Sequence, residues 1–138
     1  MRAVPCFRIG AAVLLLAFGT AGCARDGDAA TVRAVANTFF AAVAAGDGAR
    51  ACEQLSPQAR ATLESQERAA CREAVTKLGL DQAPVVRANV YVLNGVADLA
   101  NGEAVFLDQG RQGWRIAAVG CKPPAKPDAR PFRCDLEG

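Results

Sequence analysis

Cysteines are the side chains of this 138-residue chain with the clearest chemistry, since it contains six of them and no histidine. Cys52, Cys71, Cys121 and Cys134 form an even set, which is typical of disulfide bonds in a small exported domain. Three pairings are possible. We favour 52 with 71 and 121 with 134, because each pair is close in sequence and falls within one expected structural unit. A zinc site of four thiolates is the alternative, but no two of these cysteines have the C-x2-C spacing usual in such sites.

The lack of histidine narrows the possible activities, because histidine is the commonest general base and the commonest metal ligand. Ser56 and Ser65 therefore have no histidine to activate them, and we interpret both as helix caps. The sequence contains no phosphate-binding glycine loop, no dinucleotide fingerprint and no H-E-x-x-H motif. We expect no catalytic residue, no cofactor and no metal.

Cys23 follows a segment with the features of an export signal. Arg2 and Arg8 give it a basic start, residues 9–18 are apolar, and small residues precede the cysteine. The apolar run is roughly half as long as a membrane-spanning helix. The residues TAGC at 20–23 resemble the lipobox of bacterial lipoproteins, which implies that residues 1–22 are removed and that a diacylglyceryl group anchors Cys23. A plain secretory cleavage nearby is the alternative.

Charge argues against a nucleic-acid partner. Without Arg2 and Arg8, the part from Cys23 onward has 14 Lys and Arg against 14 Asp and Glu. Nucleic-acid binding normally needs a marked basic excess, and the aromatic residues are too few and scattered for base stacking. The proline-rich segment at 121–134 carries most of its charge as Lys and Arg, and we expect a closing loop there.

Helical periodicity dominates the first half of the expected domain. Residues 24–28 are predicted to form a short polar tether, followed by a helix whose apolar residues recur at three- and four-residue steps. Further helices are predicted up to residue 79. Their start and stop signals are, in order, Asp28, Gly46, Asp47, Ser56 with Pro57, Ser65 and Gly79.

After Pro84 the period changes to two, which predicts four antiparallel strands in a meander. Asn94–Gly95 and Asn101–Gly102 are predicted to be two-residue hairpin turns, with a longer turn within residues 110–113. This register places Asp98 opposite Tyr91 on one side and opposite Val105 on the other.

The same register sorts the residues of the sheet into two faces. One face is apolar and should pack against the helices. It holds Val86, Ala88, Val90, Val92, Ala97, Leu99, Ala104, Phe106, Trp114, Ile116 and Ala118. The other face is mixed, with Arg87, Tyr91, Asp98 and Arg115, and is predicted to meet water or a partner.

Helices followed by an antiparallel meander resemble the nuclear-transport-factor-like fold, also called SnoaL-like or cystatin-like. The segments GDGARACEQLSPQAR and GWRIAAVGC, the intervening Cys71 and the terminal RPFRC resemble a group of small actinobacterial lipoproteins. The resemblance implies a single α+β domain over residues 29–138, in which N-terminal helices pack on a curved four-stranded sheet to form a cone. It also implies an extracytoplasmic location and the disulfide pairing favoured above.

Cones of this fold can hold a small apolar ligand between sheet and helices. Here the lining would be Phe39, Phe40, Val90, Leu99, Phe106 and Trp114, although we favour a filled core. Relatives include isomerases, dehydratases and hydrolases, whose activity would need Asp98 and Tyr91, or Asp108, inside the cavity.

Our functional prediction is a lipid-anchored, non-enzymatic binding or accessory domain on the outer face of the cell membrane. Arg87, Tyr91 and Arg115 are residue types enriched at binding hot spots, and they form the candidate face for an envelope protein. A small-molecule enzyme of the SnoaL-like kind is the alternative.

Overall fold

The structure is a computed structural model that describes residues 23–125 and 131–138. The predicted export signal and the middle of the proline-rich loop lie outside the described residues. The fold is α+β, with the helices first and the sheet after them. The helices are α1 (Cys23–Ala44), α2 (Gly48–Gln54), α3 (Pro57–Glu67), α4 (Cys71–Ala74) and a 3-10 helix (Val75–Lys77). The strands are β1 (Val85–Tyr91), β2 (Asn94–Leu99), β3 (Ala104–Gly110), β4 (Gly113–Cys121) and β5 (Leu136–Glu137).

Helix α1 begins earlier than the sequence predicts. It starts at Cys23, so the predicted tether at 24–28 is helical and Asp28 is not its cap. The Asp28 carboxylate instead accepts a hydrogen bond from Nε1 of Trp114, at 3.3 Å. The helix ends close to Gly46, which has φ of +70° and provides the predicted stop.

Of the other three predicted caps, two are confirmed and one is wrong. Asp47 caps α2 by accepting from the Arg50 amide, and Ser56 caps α3 by accepting from the Ala59 amide, both at 3.1 Å. Ser65 lies within α3 and caps nothing. At the start of α4, the Cys71 amide donates a hydrogen bond to the carboxylate of Glu64, at 3.0 Å.

The sheet is antiparallel in the order β1-β2-β3-β4-β5, so it has five strands within the described residues where the sequence predicts four. The additional strand comes from the C-terminal segment, which returns along the edge of β4 and pairs Leu136 with Val119. Leu136 is fully buried. A two-residue strand carries no periodicity, and for this reason the pattern does not predict it.

The first hairpin turn lies two residues earlier than predicted. Val92 and Leu93 form it, so Tyr91 pairs with Asn94 rather than with Asp98. Gly95 has another use: a Cβ atom there would lie 2.7 Å from Cγ2 of Val32. Glycine in β2 therefore lets α1 approach the sheet closely, and helix packing overrides the turn propensity of Asn94–Gly95.

The second turn contains one residue more than predicted, which exchanges the faces of β3. Residues 100–102 form it, with Gly102 at φ of +86° and the Leu99 amide donating to the Glu103 carbonyl. Asp98 then pairs with Ala104 instead of Val105. Because side chains alternate along a strand, a slip of one residue turns Val105 and Leu107 to the core and Phe106 away from it.

The predicted membership of the apolar face is consequently correct only in part. Ala97, Leu99, Trp114 and Ile116 are buried in the main core, and Ala88 and Val90 pack at its margin. Val86 lies at an irregularity in β1 and Val92 in the turn, and they are 59% and 89% exposed. Three predicted core residues instead lie with Cys121 in a small cluster on the face away from the helices. They are Ala104, Phe106 and Ala118. The cause is the one-residue change of register in β3, together with the register shifts between β3 and β4.

Both predicted disulfides are confirmed. Cys52–Cys71 joins α2 to the start of α4, and Cys121–Cys134 joins the end of β4 to the segment before β5. A sulfur in a disulfide is not a metal thiolate, so the alternative four-cysteine zinc site is not formed. One disulfide thus links two helices of the helical layer, and the other links β4 to the segment that leads into β5.

Candidate functional site

The space between helices and sheet is filled by side chains. Phe39 is fully buried, Leu99 and Trp114 are each 3% exposed, and Phe40 packs edge-on against Phe39 with 5.4 Å between ring centroids. Val90 contacts the margin of the same cluster. Of the six predicted lining residues, Phe106 alone borders any of the three main grooves on the described part of the molecule.

Phe106 is the predicted lining residue that lies on the wrong side of the sheet. It lies on the sheet face that points away from the helices, which we call the outer face. There it packs against Phe132, with 5.3 Å between ring centroids and the rings nearly perpendicular. Phe132 and Cys134 belong to the C-terminal segment that the Cys121–Cys134 disulfide holds in place, and the other members of the cluster come from the sheet. The C-terminal segment therefore covers part of the outer face, and the open part lies towards the β1–β2 and β3–β4 turns.

Four polar residues form a row across this open part of the outer face. Cross-strand pairing places Tyr91 next to Asn94, Asn94 next to Asp108, and Asp108 next to Arg115. We call these four residues the turn-end row. With strands about 4.8 Å apart, the row spans roughly 14 Å from Tyr91 to Arg115. Tyr91, Asn94 and Asp108 are exposed and Arg115 is half-buried.

Asp98 and Arg87 form an ion pair elsewhere on the outer face. Nε of Arg87 donates to Oδ2 of Asp98 at 2.7 Å. The hydrogen bond and the negative charge of Asp98 raise the pKa of Arg87 above its ordinary value. Asp98 is thus paired, faces away from the core, and does not lie opposite Tyr91.

The three residues of the predicted partner face all lie on the outer face but do not form one patch. Tyr91 and Arg115 occupy opposite ends of the turn-end row. Arg87 lies further along β1 in its pair with Asp98. A partner covering the turn-end row would contact Tyr91 and Arg115 without needing Arg87.

A groove of about 470 Å³ opens where the turn-end row meets the start of α3, and we call it the α3–turn groove. Its walls come from three elements that are far apart in sequence: the first turn of α3, the β3–β4 hairpin and the chain end at Gly138. The polar residues that line it are Ser56, Gln58, Asp108, Arg111, Gln112 and Arg115.

Backbone hydrogen bonds fix the walls of the α3–turn groove. The Ser56 amide donates to the Ile116 carbonyl at 2.8 Å, which ties the start of α3 to β4. The Gly138 amide donates to the Ala117 carbonyl at 2.9 Å. Arg115 is oriented by its own hydrogen bond to the Trp114 carbonyl, at 2.8 Å. The groove is therefore a formed feature of the fold.

The chemistry of the groove suits an extended or polar ligand with an acidic group. Arg111 and Arg115 supply guanidinium donors, which bind carboxylates and phosphates well. Asp108, Gln58 and Gln112 add an acidic acceptor and two amides. Of the residues named from the sequence, Arg115 of the predicted partner face, Asp108 of the enzyme alternative and the predicted cap Ser56 line this groove. The others could not be found from the pattern, because the groove depends on where α3 packs.

No group of three or more His, Cys, Asp or Glu side chains that could hold a metal ion occurs within the described ranges. In the same part of the chain, no helix is both long and apolar enough to cross a membrane. Comparisons of the chain with protein-family models, with curated proteins and with solved structures gave no match.

Proposed function

We propose that this protein is a lipid-anchored, extracytoplasmic binding domain that binds an envelope protein on the outside of its fold. The observation that carries the proposal is the contrast between the two faces of the sheet. Aromatic and aliphatic side chains fill the helix-covered face, whereas the turn-end row on the outer face and the α3–turn groove beside it offer charged and amide groups. Such a surface favours recognition of a polar macromolecular segment over retention of a small apolar ligand.

The location has two supports. Disulfides persist in oxidising compartments, and the structure contains two of them in a small domain. The TAGC segment at 20–23 resembles a lipobox, so we propose Cys23 as the lipidated N-terminus of the mature protein. The helices on one face of an antiparallel sheet are compatible with the nuclear-transport-factor-like cone, which we retain as a proposal for the finer classification.

A non-enzymatic role fits the positions of the ionisable groups. The SnoaL-like enzyme alternative needs an acid or base held inside the fold by apolar walls. Asp98 is in an ion pair on the outer face, and Tyr91 is 60% exposed. Asp108 is exposed at the groove rather than enclosed. None of these three residues is enclosed by the apolar walls that the enzymatic alternative requires.

The anchor is tested by mass spectrometry of the mature protein expressed with its own signal. We expect the N-terminal residue to be Cys23 carrying a diacylglyceryl group, and the protein to sediment with membranes. The variant Cys23→Ser should lose both the lipid and the membrane association. An unmodified N-terminus at another residue would overturn the proposed anchor.

Partner binding is tested by photo-crosslinking in native membranes. A photoreactive residue at Gln112, in the α3–turn groove, should give a discrete crosslinked protein, whereas one at Asn101, in the turn at the other end of the sheet, should not. Arg115→Ala should reduce the yield about tenfold, as expected for a charge-assisted contact. Arg87→Ala is the matched control and should leave the yield unchanged. Equal crosslinking at both positions would contradict specific binding in the groove.

A further inference from the structure

The tip of the β1–β2 hairpin exposes three consecutive large side chains. Tyr91, Val92 and Leu93 are 60%, 89% and 56% exposed, and we call them the hairpin tip. Scattered exposed apolar residues are normal on a protein surface, but a continuous run at the end of a projecting turn is not. The hairpin tip therefore needs an explanation beyond folding.

Val92 also has an unfavourable backbone conformation, which strengthens the argument that the hairpin tip has a role beyond folding. Its φ of +57° lies in the left-handed region, where a β-branched residue is a genuine outlier. Asparagine or glycine would fit this first turn position without the same steric conflict. With its side chain 89% exposed, Val92 gains little from burial to offset the cost. Strain kept at an exposed apolar residue indicates a contact made outside the chain.

The hairpin tip lies at the same end of the molecule as the start of α1. The Gln109 amide, beside the β3–β4 turn, donates to the Leu93 carbonyl at 2.8 Å. Asp28 in α1 contacts Trp114, the second residue of β4. Cys23 precedes Asp28 by about one and a half helical turns, or roughly 7 Å. The β1–β2 turn, the β3–β4 turn and the first residue of α1 thus belong to one end of the fold.

We propose that this end docks on the membrane, with the hairpin tip inserted at the boundary between headgroups and acyl chains of an anionic bilayer. The proposal rests on the lipid anchor at Cys23 proposed above, which would hold this end near the bilayer. Tyrosine favours the membrane interface, and valine and leucine favour its apolar side. Arg111, exposed in the neighbouring turn, complements anionic headgroups and leaves Arg115 as the guanidinium that faces a protein bound in the groove.

This orientation deepens the proposed function. The α3–turn groove is lined by Arg111 and Gln112 and so lies at the same end as the hairpin tip. A protein bound there would itself lie at the membrane surface. The anchor alone would leave the domain free to rotate, whereas insertion of the hairpin tip fixes the groove relative to the bilayer.

The test compares tryptophan substitutions at two exposed valines. The mature, lipidated protein is reconstituted in vesicles of phosphatidylglycerol and phosphatidylcholine in equal parts, with and without brominated acyl chains that quench indole fluorescence. Val92→Trp places the reporter at the hairpin tip. Val86→Trp is the matched control, since Val86 is 59% exposed near the opposite end of β1. The chain has one native tryptophan, Trp114, which is 3% exposed and gives the same background in both variants.

We expect brominated lipids to reduce the added emission of Val92→Trp about twofold and to leave that of Val86→Trp unchanged. Leu93→Trp should behave like Val92→Trp and guards against misfolding of one variant, which circular dichroism also checks. Equal quenching at both ends, or none at the tip, would overturn the insertion.

The mass of the N-terminal peptide separates the two proposals. A lipidated Cys23 without quenching at the tip leaves the anchor intact and excludes insertion. If Cys23 carries no lipid, the anchor fails, and the unmodified protein is mixed with the same vesicles. Quenching of Val92→Trp but not of Val86→Trp would then still support insertion, whereas absence of quenching would overturn it.

Discussion

Val92 offers a direct measurement of what the hairpin tip costs the folded protein. A left-handed backbone costs a residue with a branched side chain about 1–2 kcal/mol, and asparagine tolerates it far better. We therefore expect Val92→Asn to raise the free energy of unfolding in urea by about 1 kcal/mol. Val86→Asn is the control, because Val86 does not have a positive φ and should gain nothing. A Val92→Asn protein no more stable than the wild type would show that the turn is not strained.

The exchanged faces of β3 can be tested with neighbouring residues. Leu107 is fully buried in the main core, whereas Phe106 is half-buried against Phe132 on the outer face. Leu107→Ala should reduce the free energy of unfolding by about 3 kcal/mol, since it leaves a cavity in the core. Phe106→Ala should cost less, because part of its ring already faces water. Chemical denaturation of both variants measures the order, and the reverse order would favour the face assignment made from a two-residue turn at Asn101–Gly102.

At the level of elements, the sequence predicted the features that local chemistry decides. The caps at Asp47 and Ser56, the stop at Gly46 and the change of period after Pro84 depend on side chains within a few residues of each other. The sequence failed where a distant element decides the outcome. Gly95 looks like a turn residue until Val32 of α1 packs on it, and this contact moves the turn to Val92–Leu93.

The site was harder to predict than the fold for the same reason. Arg115 was identified as a contact residue by its position on the outer face, and the structure places it in the α3–turn groove. Ser56, Arg111 and Gly138 reach that groove from α3, from the β3–β4 turn and from the chain end, so no sequence spacing connects them. The hairpin tip was missed because Val92 was assigned to a strand interior.

The contact between α2 and α4 provides a prediction about the helical layer. A Cβ atom on Gly48 would lie 1.8 Å from the Arg72 carbonyl oxygen, and the Cys52–Cys71 disulfide prevents the two helices from moving apart. Gly48→Ala should therefore lower the free energy of unfolding by about 3 kcal/mol. Gly27→Ala is the matched control: Gly27 is in α1 with no atom within 4 Å of its added Cβ, and alanine there should add about 0.5–1 kcal/mol. Similar unfolding curves for both variants would show that α2 and α4 are less closely packed.

For the whole molecule, the two disulfides connect stability to location. They close loops of similar length in different layers, with sequence separations of 19 and 13, so each should contribute about 3 kcal/mol and the two should be additive. Domains of this size have total stabilities of about 5–15 kcal/mol, so loss of both links removes a large part of it. We expect the protein reduced with a phosphine to unfold at much lower urea concentration than the oxidised protein, with each single pair changed to alanine in between, as measured by circular dichroism. Such a domain would reach its stable form only after export to an oxidising compartment, whereas a reduced protein as stable as the oxidised one would remove this argument for an extracytoplasmic location.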